Sequence, residues 1–353
     1  MTFHRFLGRR GTIAVPAIAV MTMLALVGCA PEADRTPTGS PSPPYVSTYQ
    51  TPEPTAIAPL RGTTVPAGSL DHASIAAKID NHWDARPQVG LETTDIVFEE
   101  LVEGGITRYV AIWQSEIPEL LGPVRSIRPM DPDIVSPFGG IICYSGGQQR
   151  FVNLMRQTPV YNAIHGQADT ESTFFRTNTK SAPHNVLVRA QKLLGQHTTI
   201  AAPQQQFAYS LDGESSSAAK DGVTVTTMKY RFSSSYWGSW KWDAARQLWL
   251  RIQQDKVDKD STGKQLTAAN VVALRVNVVN DRGVPKTLLS GKGKAWISSG
   301  GAMIEGTWSK SSPTSPIRLV DTNGVTIRLA AGNTWFELIP PAGSVSFTTP
   351  SGP

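Results

Sequence analysis

DIVFEELVEGGITRYVAIW, residues 95–113, holds two apolar runs separated by Glu103-Gly104-Gly105. β-branched and aromatic residues bounded by a glycine pair read as a β-hairpin, so this stretch makes the N-terminal part of the chain a sheet. A two-residue Gly-Gly loop sets position i opposite 209 − i, which puts Leu101 opposite Arg108. Glu99, Glu103 and Arg108 then share one face, and Glu100 lies on the other with Phe98, Tyr109 and Trp113. A loop longer or shorter by one residue reverses these assignments.

Outward from the hairpin, HASIAAKID reads as a strand ending at Asp80-Asn81, and GGIICYSGG as a short buried strand between glycine pairs. In MDPDIVSPF, Asp131 and Pro132 form the cap and first position of a helix. RFVNLMRQT and VLVRAQKLLGQ have helical spacing. These elements predict a mixed α/β domain over residues 71–203, followed by a polar linker at 204–222. From 223 to 342 short alternating runs bounded by Gly, Asp and Asn predict a β-rich domain, and 343–353 reads as a frayed tail. The fold class is α+β.

The first residues set the compartment. Arg5, Arg9 and Arg10 precede an apolar run that ends in Leu26-Val27-Gly28-Cys29. This is a signal peptide over residues 1–28 with a lipobox, and Cys29 is the expected lipidation site. The protein is therefore expected outside the cytoplasm, held to the membrane by lipid. Residues 29–70, rich in Pro, Thr and Ser, read as a disordered tether. The net charge of +5 includes the three signal arginines, so the mature chain carries only +2, and nucleic acid is excluded as a partner. With Cys29 lipidated, Cys143 stands alone and no internal disulfide forms.

Two arginines three apart, Arg125 and Arg128, stand in GPVRSIRP, residues 122–129. Pro129 keeps Arg128 out of the helical region, so the two side chains point to opposite sides of an extended segment. Arg125 is expected to pair with Glu99 or Glu103, while Arg128 offers its fork to a carboxylate or phosphate. As a carboxylate pair, Glu99 and Glu103 would suit acid/base hydrolysis, but positions i and i+4 on a strand lie about 13 Å apart. Ion-pair partners of arginine are the better reading. His72, His82, His165 and His184 lack metal-ligand spacing in the sequence, so no metal and no cofactor is expected. His184 has no nucleophile in a suitable context and reads as a hydrogen-bonded cap. Trp240, Trp242 and Trp249 read as a cross-strand core cluster, with a glycan-stacking face as the alternative.

IDNHWDARPQVGL, DIVFEELVEGGITRYVAIW, GPVRSIRP, the FFR and APHN of FFRTNTKSAPHN, then WKWD, NVVALRV, GKGKAW, TWSK and GNTWFELIP follow in one order. Together they resemble the YerB-like lipoproteins over roughly residues 72–342. The resemblance implies an exported, lipid-anchored protein with an α/β part before a β-rich part, and it brings no reaction with it. It marks Asn81, Arg86, Pro87, Glu99, Glu103, Gly104, Arg108, Arg125, Ser126, Arg128, Arg176, His184 and Asn185 as matching the family's motifs. That mixture suits a polar cleft. Three functions follow: binding of a peptidoglycan fragment or glycan by Asn81, Arg86, Arg108, Arg125, Ser126, Arg128, Arg176, His184 and Asn185; hydrolysis of wall or glycan by Glu99 and Glu103; or docking of another envelope protein through the β-rich part.

Overall fold

Strand Ile96–Leu101 pairs with Thr107–Trp113, but with Leu101 opposite Thr107 and Glu100 opposite Arg108. The loop holds three residues, Glu103, Gly104 and Gly105, closed by a hydrogen bond from Val102 N–H to the Ile106 carbonyl. Both glycines have φ of 72°, which a Cβ would disfavour. The extra residue reverses the expected faces. Glu100 shares a face with Phe98 and Arg108, and Glu99 shares the other with Tyr109.

A computed structural model describes residues 45–210 and 215–350. The signal peptide, Cys29 and the tether up to residue 44 lie outside the described residues. No helix among the described residues is long and apolar enough to cross a membrane. Pro52–Pro353 is one compact unit.

The hairpin sits inside an eleven-stranded sheet that draws on both parts of the sequence. On one side Ile96–Leu101 runs parallel to Thr334–Ile339, which runs parallel to Asn270–Arg275. On the other, Thr107–Trp113 pairs antiparallel with Ile75–Asp80, and Ile75–Asp80 pairs parallel with Ile141–Tyr144, which pairs parallel with Tyr161–Ile164. Six strands of this block therefore point the same way, and their C-terminal ends share one edge. A second sheet of six strands packs on the face that carries Tyr109, where Trp240, Trp249 and Trp335 are buried together. Trp242 stands opposite Trp249, their rings 5.2 Å apart, so the aromatic cluster is core. The other face, with Phe98, Val110 and Ile112, is covered by the short helices Asp131–Val135 and Gln149–Met155.

Helix content is lower than expected. Val186–Arg189, expected at the start of a helix, is a strand, and only Ala190–Gly195 is helical. Among the described residues no α-helix exceeds the seven residues of Gln149–Met155, so β structure dominates the N-terminal part as well. The expected tether ends early. Thr55–Ile57 and Thr64–Pro66 form a hairpin, and Leu60 is buried with its carbonyl accepting from Tyr209 Oη at 2.8 Å. Tyr209 and Phe207 belong to the stretch expected as a linker, and burying their rings fixes it to the core. Ser344–Thr348, expected as a frayed end, pairs with Thr227–Arg231, whose unpaired edge it completes.

Candidate functional site

Of strand Ile75–Asp80, only Ile75–Ala77 pairs with Ile141–Tyr144. Beyond that point Pro123–Ile127 takes its place beside Lys78–Asp80. Asp80 N–H donates to the Pro123 carbonyl and Arg125 N–H to the Lys78 carbonyl, while Ser145 and Ile127 bond across to Arg125 and Gly146. This wedge is where GPVRSIRP sits, at the carboxyl ends of the parallel strands, the usual place for ligands in such sheets.

Lys78 lies under it, fully buried, bonded to Glu100 and to Asp131 Oδ1 at 2.7 Å. Burial is the main cause that lowers its pKa to about 8; Asp131 opposes this, and Arg108 and Arg128 add to it. Asp131 Oδ2 also accepts from Arg128 N–H at 2.6 Å and so fixes the wedge to the helix start.

Three guanidinium groups surround the wedge. Arg125 Nε stands 3.0 Å from Asp80 Oδ2, and the same oxygen is 2.6 Å from His184 Nδ1. Arg128 Nε donates to Glu103 Oε2 at 2.6 Å. Burial alone would raise the Glu103 carboxyl, but the Arg128 hydrogen bond and charge outweigh it and leave the group below the usual carboxylate range. Arg108 is only 5% exposed, and among the described residues no acid lies within ion-pair distance of it. Its Nη1 donates to the Ser126 carbonyl at 2.7 Å, and its buried Nε has no hydrogen-bond partner. Arg128 Nη1 reaches the same carbonyl at 3.3 Å, so two cations converge on one neutral oxygen. Burial, then Arg128 and Arg125, bring the Arg108 pKa down to about 10.

The expected division of labour is therefore altered. Arg125 pairs with Asp80 in place of Glu99 or Glu103, because the Pro123–Ile127 segment lies along the Asp80 strand. Arg128, expected without a carboxylate of its own, is held by Glu103. The arginine lacking an acid is Arg108.

The opposite face of the sheet has its own charge cluster. Arg251, from the second sheet, is fully buried and lies 2.5 Å from Glu99 Oε2, 2.9 Å from Asp258 Oδ2 and 3.0 Å from Glu337 Oε1. Tyr109, Tyr230, Trp240 and Trp335 surround its guanidinium at 4.4–5.5 Å. Glu99 further accepts from Thr107 Oγ1 at 2.6 Å and Asn81 Nδ2 at 3.3 Å. Asn81 Oδ1 accepts from Arg86 and Gln88, and Arg86 also bonds Asp258. Asn81 thus links Arg86 to the buried Glu99 in one network. Glu99 and Glu103 do not form a carboxylate pair, since each is engaged by a different arginine.

Arg86 does reach an open cleft of about 490 Å³, walled by Trp83, Gln253, Lys256 and Asp258. Arg176 donates to Asn185 Oδ1 at 2.7 Å on a separate three-stranded sheet. The polar and charged site residues marked by the motifs therefore fall into three groups: Glu103, Arg108, Arg125, Ser126, Arg128 and His184 around the wedge; Asn81, Arg86 and Glu99 in the buried cluster; Arg176 and Asn185 apart. Arg251, Asp258, Glu337 and Lys78 were not foreseen, and Asp131, expected as a helix N-cap, is instead the first helical residue after Met130 and pairs with Lys78. A lysine inside IAAKID was the visible signal for one of them, because an unpaired lysine cannot sit in a fully buried strand.

The sequence matches two family descriptions in order: "Protein of unknown function (DUF3048) N-terminal domain" over residues 60–202 and its C-terminal domain over 226–336. Together they span more than two-thirds of the chain, and the chain belongs to this family of YerB-like proteins. It is similar to "Putative lipoprotein YerB" of Bacillus subtilis (strain 168), with 25% identity over 308 residues, 84% of this chain and 89% of the relative. A crystal structure of YerB from Bacillus subtilis superimposes with a TM-score of 0.71 at 23% identity, covering 82% of this chain and 99% of that one, which establishes the shared fold.

Proposed function

We propose that this protein is a lipid-anchored envelope protein that binds an anionic group of a wall component, such as the carboxylates of a peptidoglycan fragment, at Arg108, Arg125 and Arg128. The lipobox ending at Cys29 and the lipoprotein designation of YerB support the anchor. The observation that carries the binding reading is Arg108: a guanidinium buried without an acid, beside a second arginine on the same carbonyl. Burying a cation costs free energy unless an anion compensates it. A bound carboxylate or phosphate supplies that anion, with Arg125 and Arg128, both partly exposed, as the route in from solvent. Guanidinium groups suit this role because their planar forks match such oxygens in pairs.

Calorimetry of purified peptidoglycan fragments against the wild-type chain and Arg108→Met tests the reading. Saturable binding that falls at least tenfold in the variant supports it. Equal isotherms for the two chains, or no heat with either, overturn it.

A further inference from the structure

We propose that His82, Asp84 and His184 form a binding site for one divalent transition-metal ion, with zinc as the best match to the donors. His82 caps the short turn Trp83–Ala85 that follows strand Ile75–Asp80, Asp84 lies within that turn, and His184 comes from the distant APHN segment. One donor atom from each of the three side chains lies within 4.8 Å of the others. The two imidazole rings stack, with centroids 4.8 Å apart and planes 17° from parallel.

The hydrogen bonds define which ring nitrogens are available. His184 Nδ1 meets the buried Asp80 carboxylate at 2.6 Å, so Nδ1 carries the proton and Nε2 keeps its lone pair. A carboxylate behind an imidazole is the usual support for a metal-ligating histidine, fixing its tautomer and raising its basicity. His82 Nδ1 accepts from Asp84 N–H at 3.2 Å, which makes it the unprotonated nitrogen of that ring. The same Nδ1 stands 3.5 Å from Asp84 Oδ2. That lone pair points at the Asp84 N–H, so Nδ1 becomes a metal donor only when the ring turns out of this hydrogen bond and out of the stack, toward Asp84 Oδ2. Zinc held at about 2.0–2.1 Å by tetrahedral ligands sets its donor atoms roughly 3.3 Å apart, close to this spacing. His82 is 41% exposed at its side chain, so a small rotation brings its ring to the third donor. Two imidazoles and one carboxylate are a zinc donor set, and three protein ligands leave the fourth position open to solvent. The proposal uses none of the three arginines as ligands, although Asp80, which supports His184, also pairs with Arg125.

Equilibrium competition between the metal-stripped full chain and a chromophoric chelator for Zn²⁺ gives the affinity, and the visible spectrum of a Co²⁺-substituted sample gives the geometry. One equivalent bound per chain is expected, with tetrahedral Co²⁺ bands. His82→Ala changes a partly exposed side chain, so the chain stays folded, and it should weaken Zn²⁺ at least tenfold. His184→Ala should do the same. Asp80→Asn should cost about 10–100-fold through loss of the supporting carboxylate, with folding followed by circular dichroism. No stoichiometric binding by the wild-type chain, or affinity unchanged in His82→Ala, overturns the site.

Discussion

Arg251 Nη2 lies 2.5 Å from Glu99 Oε2, a buried ion pair that joins the six-stranded sheet to the eleven-stranded one. Asp258 and Glu337 complete the shell of acids, and four aromatic rings close over it. Arg251→Met leaves these carboxylates buried without their cation. Removing one partner of a buried pair costs about 3–5 kcal/mol. Urea unfolding of the variant should show that loss. A midpoint within error of wild type would mean that the acids re-pair or take up protons at little cost.

Glu337 sits beside Glu99, and burial first, then that neighbouring carboxylate, raises its pKa well above the ordinary range; Arg251 opposes the shift without cancelling it. A carboxyl whose pKa is higher folded than unfolded contributes stability that is complete below the unfolded pKa, about 4.3, and is lost as pH rises through the folded one. Glu337→Gln keeps a neutral acceptor for Arg251 and Trp240 at every pH. Its melting temperature relative to wild type should therefore climb as pH increases from 5 to 9. A constant difference across that range would contradict the raised Glu337 pKa.

The hairpin, the strand Ile75–Asp80 and the buried strand Ile141–Tyr144 were legible because apolar runs between turn residues have few alternative readings. Facing was not legible where one loop residue decides it, which is why Glu99 and Glu100 exchanged faces. QLWLRI hid Arg251 for a different reason. Its aliphatic residues Leu248, Leu250 and Ile252 alternate as an inward face should, yet Trp249, Arg251 and Gln253 are the buried set. The three acids that make an inward arginine affordable come from Glu99, Asp258 and Glu337, as far as 152 residues away in sequence. Pairing at that distance leaves no local pattern.

Arg108 is held at a cost, and binding and stability should respond to it in opposite ways. Its lowered pKa means that burial and the neighbouring arginines disfavour the charge in the folded chain. Arg108→Met removes that charge and one hydrogen bond to the Ser126 carbonyl, so unfolding free energy should stay within about 1 kcal/mol of wild type or rise. Anion binding should fall at least tenfold in the same protein. A large loss of stability would identify Arg108 as a structural residue and remove the main support for the anion site.

Glu103 holds Arg128 from the rim of the site, half-exposed at the hairpin turn. Glu103→Gln removes the carboxylate that competes with a bound anion for that guanidinium. Exposed or partly exposed pairs contribute roughly 0.2–1 kcal/mol, so affinity for an anionic wall fragment should improve by a factor of about two to five. The gain should depend on pH. Because the Glu103 carboxyl titrates below the usual range, it is ionised at neutral pH and competes there. As pH falls through its pKa, the wild-type carboxyl loses its charge and the advantage of the variant should vanish. Calorimetric titrations from pH 7 downward, for chains shown by circular dichroism to stay folded at each pH, measure this convergence. Weaker binding by Glu103→Gln at pH 7 would show instead that Glu103 positions Arg128 for the ligand.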